Sequence, residues 1–334
     1  PRDFVRETVL GYKRLGRWFW PLDIDTCLIA PRGMDALVGA VRDWYRCAGQ
    51  RAHDPRNGDG ALKVLLVREG RRTGQRMVVL ITRPAPVDTE GFVAAVRQAW
   101  PAHSIQWGTT TSTADVAQAD ALTVLAGHPT INDALHVPTD TGPRALTFRI
   151  SPFSFFQTNT LATELLYGWL RARVAEAPPE TLCDLYGGAG GIAFACSDLV
   201  ARVQSVENVP EASEDGRFNA ARNEISNVAF DTAPVEKWLQ ARLQDATLDP
   251  QATVVCDPPR SGMHPKALKR LLRWGPRRVL YVSCNPKLLA REWPALRQRY
   301  LLEGAQAFDL FPHTPHVELA VSLVRRDASP WPRA

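Results

Sequence analysis

Apolar and polar positions follow two patterns along the chain. In the first part, Leu62–Arg68 and Arg76–Thr82 read as strands separated by the turn-forming Glu69-Gly70-Arg71-Arg72-Thr73-Gly74. Helical spacing predicts an amphipathic helix over about Met34–Cys47 and another over Thr89–Trp100, with strand pieces near Ser104–Trp107 and Leu122–Ala126. From Pro1 to about Trp20, Arg2, Arg6, Lys13, Arg14 and Arg17 alternate with Phe4, Tyr12, Trp18, Phe19 and Trp20. This stretch reads as a β-hairpin with an aromatic face toward a core, or as a surface that stacks bases and holds phosphates. After about Arg149 short solid apolar runs take over, each followed by a turn and a helical stretch: Thr181–Tyr186, Val203–Glu207, Ala252–Cys256 and Arg278–Ser283. That rhythm predicts an open parallel sheet covered on both faces.

At 334 residues, 45% hydrophobic and 22% charged, the chain can bury a full core, which excludes disordered and fibrous classes and suggests two domains. The expected division is a smaller α+β domain over 1–145 and a sheet domain over 146–334. Forty Lys and Arg against 35 Asp and Glu give +5, a balance that permits a nucleic-acid partner without requiring one. Six cysteines form no C-x-x-C pair, so a reducing cytoplasm is the expected compartment and a disulfide scaffold is not. No apolar run reaches the length of a membrane span. The chain starts at Pro1 rather than Met, which reads as a cut end with sequence missing upstream. A monomer is expected.

The candidate chemistry lies in the second part. Leu182-Cys-Asp-Leu-Tyr-Gly-Gly-Ala-Gly-Gly-Ile-Ala-Phe places Gly187, Gly188, Gly190 and Gly191 between a strand and its helix, where the backbone can approach a ligand. Glu207 ends the next strand, placed to accept hydrogen bonds from a ribose diol. Two cofactors fit: a dinucleotide, since Gly188-Ala-Gly190-Gly-Ile-Ala193 satisfies G-x-G-x-x-G/A, and S-adenosylmethionine. Asp184 favours the second, because an acid there repels a pyrophosphate and suits a sulfonium and an ammonium. Further on, Asp257-Pro258-Pro259-Arg260 and Cys284-Asn285-Pro286 end two strands that face one crevice. Cys284 precedes a helix whose N-terminal field would favour a thiolate, whereas Cys183, Cys196 and Cys256 lie in apolar patterns and read as core. His313 and His316 have metal-like spacing but no evident third ligand.

Taken together, Ser151-Pro-Phe-Ser-Phe-Phe-Gln157-Thr-Asn159, Asp184-Leu-Tyr-Gly-Gly-Ala-Gly-Gly, Asp257-Pro-Pro-Arg-Ser-Gly262, Tyr281-Val-Ser-Cys-Asn-Pro286 and Phe311-Pro-His-Thr-Pro-His-Val-Glu318 closely resemble the RNA (uracil-5-)-methyltransferase family. The resemblance covers nearly the whole chain. It implies an α/β fold: a Rossmann-like S-adenosylmethionine-dependent methyltransferase sheet domain preceded by the smaller α+β domain. It also implies an activity, methylation of carbon 5 of a uridine in RNA, with ribosomal RNA favoured over transfer RNA. Cys284 matches the family's nucleophile, which adds to carbon 6 of uracil and makes carbon 5 electron-rich. Glu318 matches the base that then removes the carbon 5 proton. Gln157, Tyr186, Gly191, Glu207 and Asp257 match cofactor contacts. At the Gly191 position many relatives carry asparagine, and Phe230-Asp-Thr-Ala-Pro234 lacks the usual acid after the third strand. A uracil buried in folded RNA would have to be extruded into the crevice, and Arg260 would hold a neighbouring phosphate or form an ion pair at the sheet rim.

Many members of that family carry an N-terminal oligonucleotide-binding barrel and an iron–sulfur cluster on four cysteines. Asp23-Ile-Asp-Thr-Cys27 resembles the segment bearing the fourth, so either the chain is a fragment in which Cys27 is a [4Fe-4S] ligand with three partners upstream of Pro1, or this lineage lacks the cluster. Two other functional readings remain: an NAD-dependent oxidoreductase, resting on the glycine pattern and Glu207, and an RNA-binding module without activity. Amino-methyltransferases also use Asp-Pro-Pro, but an amine acceptor needs no covalent activation and leaves Cys284 and Glu318 without a role.

Overall fold

The computed structural model describes residues 7–328 except 15 and 115, and the chain divides into two compact units between Asn132 and Asp133. Arg2, Phe4 and Arg6 of the basic and aromatic N-terminal stretch lie outside the described residues, as do the side chains of Arg17, Trp18, Phe19 and Trp20.

In the first unit, β1 (Gly11–Arg14) and β2 (Arg17–Asp23) form the expected hairpin, on which Tyr12 is exposed. Helix α1 (Met34–Cys47) follows, then β3 (Leu62–Glu69), β4 (Arg76–Thr82), α2 (Thr89–Ala99), β5 (Ser104–Thr109) and β6 (Ala121–Gly127). The strands make one sheet in the order β3-β4-β5-β6, with only β4 and β5 parallel. Helix α2 starts where Asp88 accepts the Gly91 N–H at 2.9 Å, an N-cap that satisfies one of the helix's free donors. Leu37, Val41 and Trp44 of α1 and Phe92 and Val96 of α2 share a core with Val78, Leu80 and Ile105 of the sheet.

The second unit is laid over a seven-stranded sheet. After the two-stranded pair β7 (Ile131–Val137) and β8 (Arg144–Ile150) come α3 (Thr160–Ala175), β9 (Thr181–Leu185), α4 (Gly191–Cys196), β10 (Arg202–Glu207) and α5 (Pro210–Arg222). The chain continues through β11 (Val228–Thr232), α6 (Val235–Gln244), β12 (Thr253–Cys256), α7 (Pro265–Trp274), β13 (Arg278–Ser283), α8 (Pro286–Leu296), β14 (Tyr300–Phe308) and β15 (Glu318–Arg325). The sheet order is β11-β10-β9-β12-β13-β15-β14. Strand order reverses between β9 and β12, which makes the carboxyl edge there the place where ligands bind in open α/β sheets.

The sheet is not wholly parallel as expected: β15 runs antiparallel between β13 and β14. The segment 309–317 that joins β14 to β15 is too short for a helical crossover, so the chain returns antiparallel. This reversal has a functional consequence. It brings the first residue of β15, Glu318, to the edge where the parallel strands end.

Candidate functional site

Strands β9, β10, β12, β13 and β15 and the segment before α3 deliver side chains to that edge. The loop from β9 into α4 carries Tyr186 at φ 67 and Gly190 at φ 90, left-handed conformations that turn the chain sharply into the helix. A Cβ on Gly187 would stand 2.1 Å from Ser205 Oγ, so glycine is needed for the loop to lie on β10. At Gly188, in contrast, an added Cβ would meet only ordinary contact with Phe155 at 3.8 Å. Glu207 ends β10 and is held by backbone donors: Oε2 accepts the Gly188 N–H at 2.9 Å and Oε1 the Val209 N–H at 2.7 Å. Each oxygen keeps a lone pair for a further donor, such as a ribose hydroxyl.

Asp184 does not face a ligand as the sequence argument supposed. It is fully buried beneath the loop, where Oδ2 accepts the Ala193 N–H at 3.2 Å. Its role is to tie the glycine loop to α4, and its other oxygen, Oδ1, has no hydrogen-bond partner. Burial pushes its carboxyl up to about 7.

Gln157 approaches the edge from the segment before α3, and its Nε2 donates to Asp257 Oδ2 at 3.4 Å. Gln157, Tyr167, Tyr186, Gly188, Gly191 and Asp257 line one cavity of about 30 Å³. Gly191, where the family pattern often has asparagine, packs against Tyr167, whose hydroxyl would be 2.7 Å from an added Cβ. The space of the missing side chain is thus held by a buried tyrosine from α3.

The segment around Gln157 owes its position to a residue the sequence reading did not single out. Asp215, on α5, is 1% exposed and accepts from Ser151 N at 3.1 Å, Ser151 Oγ at 3.0 Å, Arg149 Nε at 2.7 Å and Ser154 Oγ. One turn on, Asn219 accepts the Arg149 N–H at 2.7 Å, and Asn223 pairs with both backbone groups of Thr147. The polar face of α5 therefore does for β8 what a neighbouring strand would do.

The reacting candidates meet at β12, β13 and β15. The register Ser283 opposite Leu319 sets Cys284, just past β13, beside Glu318 at the start of β15. Glu318 is buried, its Oε2 has no hydrogen-bond partner, and burial pushes its carboxyl up to about 7. Asp257 is raised to about 8 by burial and by the neighbouring Glu318 and Asp184. Cys284 is half-buried, and its thiol lies above its ordinary value, contrary to the thiolate expected from its place before a helix. Burial is the main cause, and the charges of Glu318 and Asp257 add to it, outweighing Arg260 and the field of α8.

Arg260 is exposed, with Nη2 3.3 Å from His316 Nδ1, and it forms no ion pair among the described residues. Cys183, Cys196 and Cys256 are buried core residues. Cys27 is half-buried beside the Tyr12 hydroxyl. Among the described residues no group of three or more His, Cys, Asp or Glu converges to hold a metal, so neither Cys27 nor the His313 and His316 pair has co-ligands there. No helix among them is long and apolar enough to cross a membrane.

The edge as a whole suits a cationic adenosyl ligand. Asp257 and Glu318 are both raised by burial, and Asp257 also by Glu318 and Asp184, with no lysine or arginine acting on either carboxyl to offset the charge. A sulfonium or ammonium would supply that charge, and Glu207 stands ready for a diol.

The family model described as tRNA (uracil-5-)-methyltransferase matches residues 115–326. An uncharacterized RNA methyltransferase of Nitratidesulfovibrio vulgaris is 34% identical over 327 residues, which is 95% of this chain and 67% of that protein. Another, from Bacillus cereus, is 32% identical over 311 residues, 91% of this chain and 65% of its own length. The chain thus spans about two thirds of the length of these relatives. Among solved structures, the Pyrococcus abyssi tRNA (uracil-54, C5)-methyltransferase in complex with S-adenosyl-L-homocysteine is similar over 95% of this chain and 73% of that one, with 27% identity and a TM-score of 0.71.

Proposed function

The chain belongs to the tRNA (uracil-5-)-methyltransferase family, and on that premise we propose that it methylates carbon 5 of a uridine in RNA through a covalent adduct with Cys284. The observation that carries this reading is the meeting of Cys284 and Glu318 at the sheet edge beside the glycine loop, made by the antiparallel register of β15. S-adenosylmethionine supplies an electrophilic methyl group on a positively charged sulfur.

The protein's residues do the rest. Glu207 takes the ribose diol, while Gln157, Tyr186 and Asp257, which line a small cleft beside the glycine loop, contact the remainder of the cofactor. The Cys284 sulfur, as thiolate, forms a bond to carbon 6 of uracil, and the displaced electron pair gathers at carbon 5, which takes the methyl group. Glu318 then removes the proton on carbon 5, the ring double bond re-forms, and the carbon–sulfur bond breaks to release Cys284. A carboxyl raised to about 7 holds the balance between accepting and releasing a proton near neutral pH that a general base needs. A cation at the edge offsets Asp257 and Glu318, so cofactor binding favours the thiolate that the free protein disfavours.

The acceptor class follows from the family. The family description and the Pyrococcus structure's description both name tRNA, whereas the expectation of ribosomal RNA rests on overall resemblance alone. Mapping 5-methyluridine by mass spectrometry in RNA from cells with and without the gene decides between them. Cofactor choice is tested by calorimetry: S-adenosylmethionine should bind and NAD should not. Binding of NAD alone would replace this reading with an oxidoreductase.

A further inference from the structure

The positive charge of the chain is gathered in one stretch. Between Arg260 and Arg299 stand eleven Lys and Arg residues and a single acid, Glu292. That acid turns inward, accepting from the Tyr281 hydroxyl at 2.9 Å and the Met263 N–H at 3.1 Å. Since the whole chain carries only +5, the remainder is acidic on balance.

On α7 the cations Lys266, Lys269, Arg270 and Arg273 stand at i, i+3, i+4 and i+7, one stripe of the helix, while Ala267, Leu271 and Trp274 fill the buried face. A solvated helix face ordinarily mixes signs, because like charges at this spacing repel. Here no acid interrupts the stripe, and none of its four cations forms an ion pair among the described residues. Lys266 sits in the first turn, where the helix field disfavours a cation, and neither α7 nor α8 has an acid in its first turn. The fold gains little from this arrangement.

These residues, with Gln298 and Arg299, line a groove of about 860 Å³. Arg270 and Arg299 also have structural work: Arg270 donates to the Glu236 carbonyl at 2.8 Å and to Gln240 Oε1 at 2.7 Å, and Arg299 donates to the Leu272 carbonyl at 2.8 Å. Lys266, Lys269 and Arg273 are exposed. The groove begins at the start of α7, directly after the Asp257–His264 loop of the candidate site, and follows α7 for about 15 Å at 1.5 Å per residue.

We propose that this groove binds the phosphate backbone of the RNA next to the target uridine and leads the strand away from the reacting edge. The proposal rests on the reading of the acceptor as RNA. A linear row of cations at regular spacing matches a polymer of regularly spaced phosphates better than it matches a single anion.

The test compares the whole chain with the triple variant Lys266→Ala, Lys269→Ala, Arg273→Ala, and with a control triple, Arg32→Ala, Arg97→Ala, Lys237→Ala, that removes the same charge from exposed positions elsewhere. Binding of a labelled polyuridine RNA is followed by fluorescence anisotropy over a salt series, and S-adenosylmethionine binding by calorimetry. The groove triple should weaken RNA binding about tenfold near 0.1 M salt and make the slope of log K against log salt shallower by about 2, at about 0.7 per phosphate of a single strand. Its S-adenosylmethionine affinity should stay unchanged, and the control triple should bind RNA within about twofold of the original chain. Equal losses in the two triples, or none in the groove triple, would overturn the groove while leaving the activity standing. Polyglutamate bound as tightly as RNA would assign the groove to an acidic protein instead. An original chain that neither binds polyuridine nor takes up S-adenosylmethionine would sink both the groove and the function.

Discussion

At the carboxyl ends of β9 and β10, Glu207 has both oxygens engaged by backbone N–H groups, and nearby Asp215 gathers four protein groups around one buried carboxylate. A few strands along the same edge, Glu318 keeps one buried oxygen unpartnered, and Asp257 has only a 3.4 Å contact from Gln157. The first region is a holder: Glu207 and Asp215 are satisfied, only the buried Asp184 beneath the loop keeps one oxygen unpartnered, and removal of Asp215 should loosen structure. The second is the reacting region of the proposed function: its acids are raised toward neutrality because the free protein does not satisfy them, and on that proposal their removal should cost chemistry without costing stability.

The largest effect that would sharpen this contrast is at Glu318. Glu318→Gln should slow turnover about a hundred- to ten-thousand-fold and accumulate the protein–RNA adduct. Its melting temperature at pH 8 should not fall, because one buried carboxylate fewer then has to ionise; a marked loss of stability would move Glu318 to the holding region. Asp215→Ala should behave in the opposite way, destabilising the fold by about 3–5 kcal/mol in denaturant titration, since Arg149 and two serines lose their common partner. Retained stability would break the comparison.

Gly191→Asn comes next. The new side chain must push aside the Tyr167 hydroxyl, at a cost of about 1–3 kcal/mol, and S-adenosylhomocysteine affinity by calorimetry should fall several-fold with it. The contrast also has a signature in pH. Glu318, Asp184 and Asp257 have ordinary values of 4.5, 3.8 and 3.8 and stand at about 7, 7 and 8 in the fold, so between about 4 and 8 the folded chain holds protons that the unfolded chain has released. Stability should therefore be fullest below about 4 for these groups and decline as pH rises to about 8. A thermal melt series should show that decline, with S-adenosylmethionine flattening it; a rise over the same window would contradict the assignment of unsatisfied acids.

Where the fold was legible in the sequence, the pattern was strong. Helix α1 and strands β4 and β13 fall where periodicity places them, because each presents a clear apolar stripe or a solid apolar run. Strand β14 mixes exposed and half-buried residues around Gly304 and gives no such pattern, and its pairing with β15 made the sheet mixed rather than parallel. Strand β7 alternates in burial over Ile131–Val137, but the inward Asp133 interrupts the apolar pattern that would announce it. Asp215 left no signal, since α5 buries Ser213, Asp215 and Asn219 and so has no apolar stripe to betray its inner face. At the site, the motifs marked Cys284, Glu318, Asp257 and Glu207, which stand at strand ends of one sheet, and Gln157, which reaches the edge from the segment before α3. They could not foresee the burial of Asp184 or the raised Cys284 thiol, both of which depend on what lies across the fold rather than along the chain.

The central claim is that Cys284 bonds to carbon 6 of uracil and Glu318 frees it. Incubating the chain with S-adenosylmethionine and an RNA carrying 5-fluorouracil at the mapped target, then separating by denaturing electrophoresis, tests it directly, since fluorine at carbon 5 cannot be removed as a proton. A methylated protein–RNA adduct should form with the original chain and vanish with Cys284→Ala. An adduct that persists without the Cys284 sulfur, or none with the original chain while it still methylates normal RNA, would contradict the account.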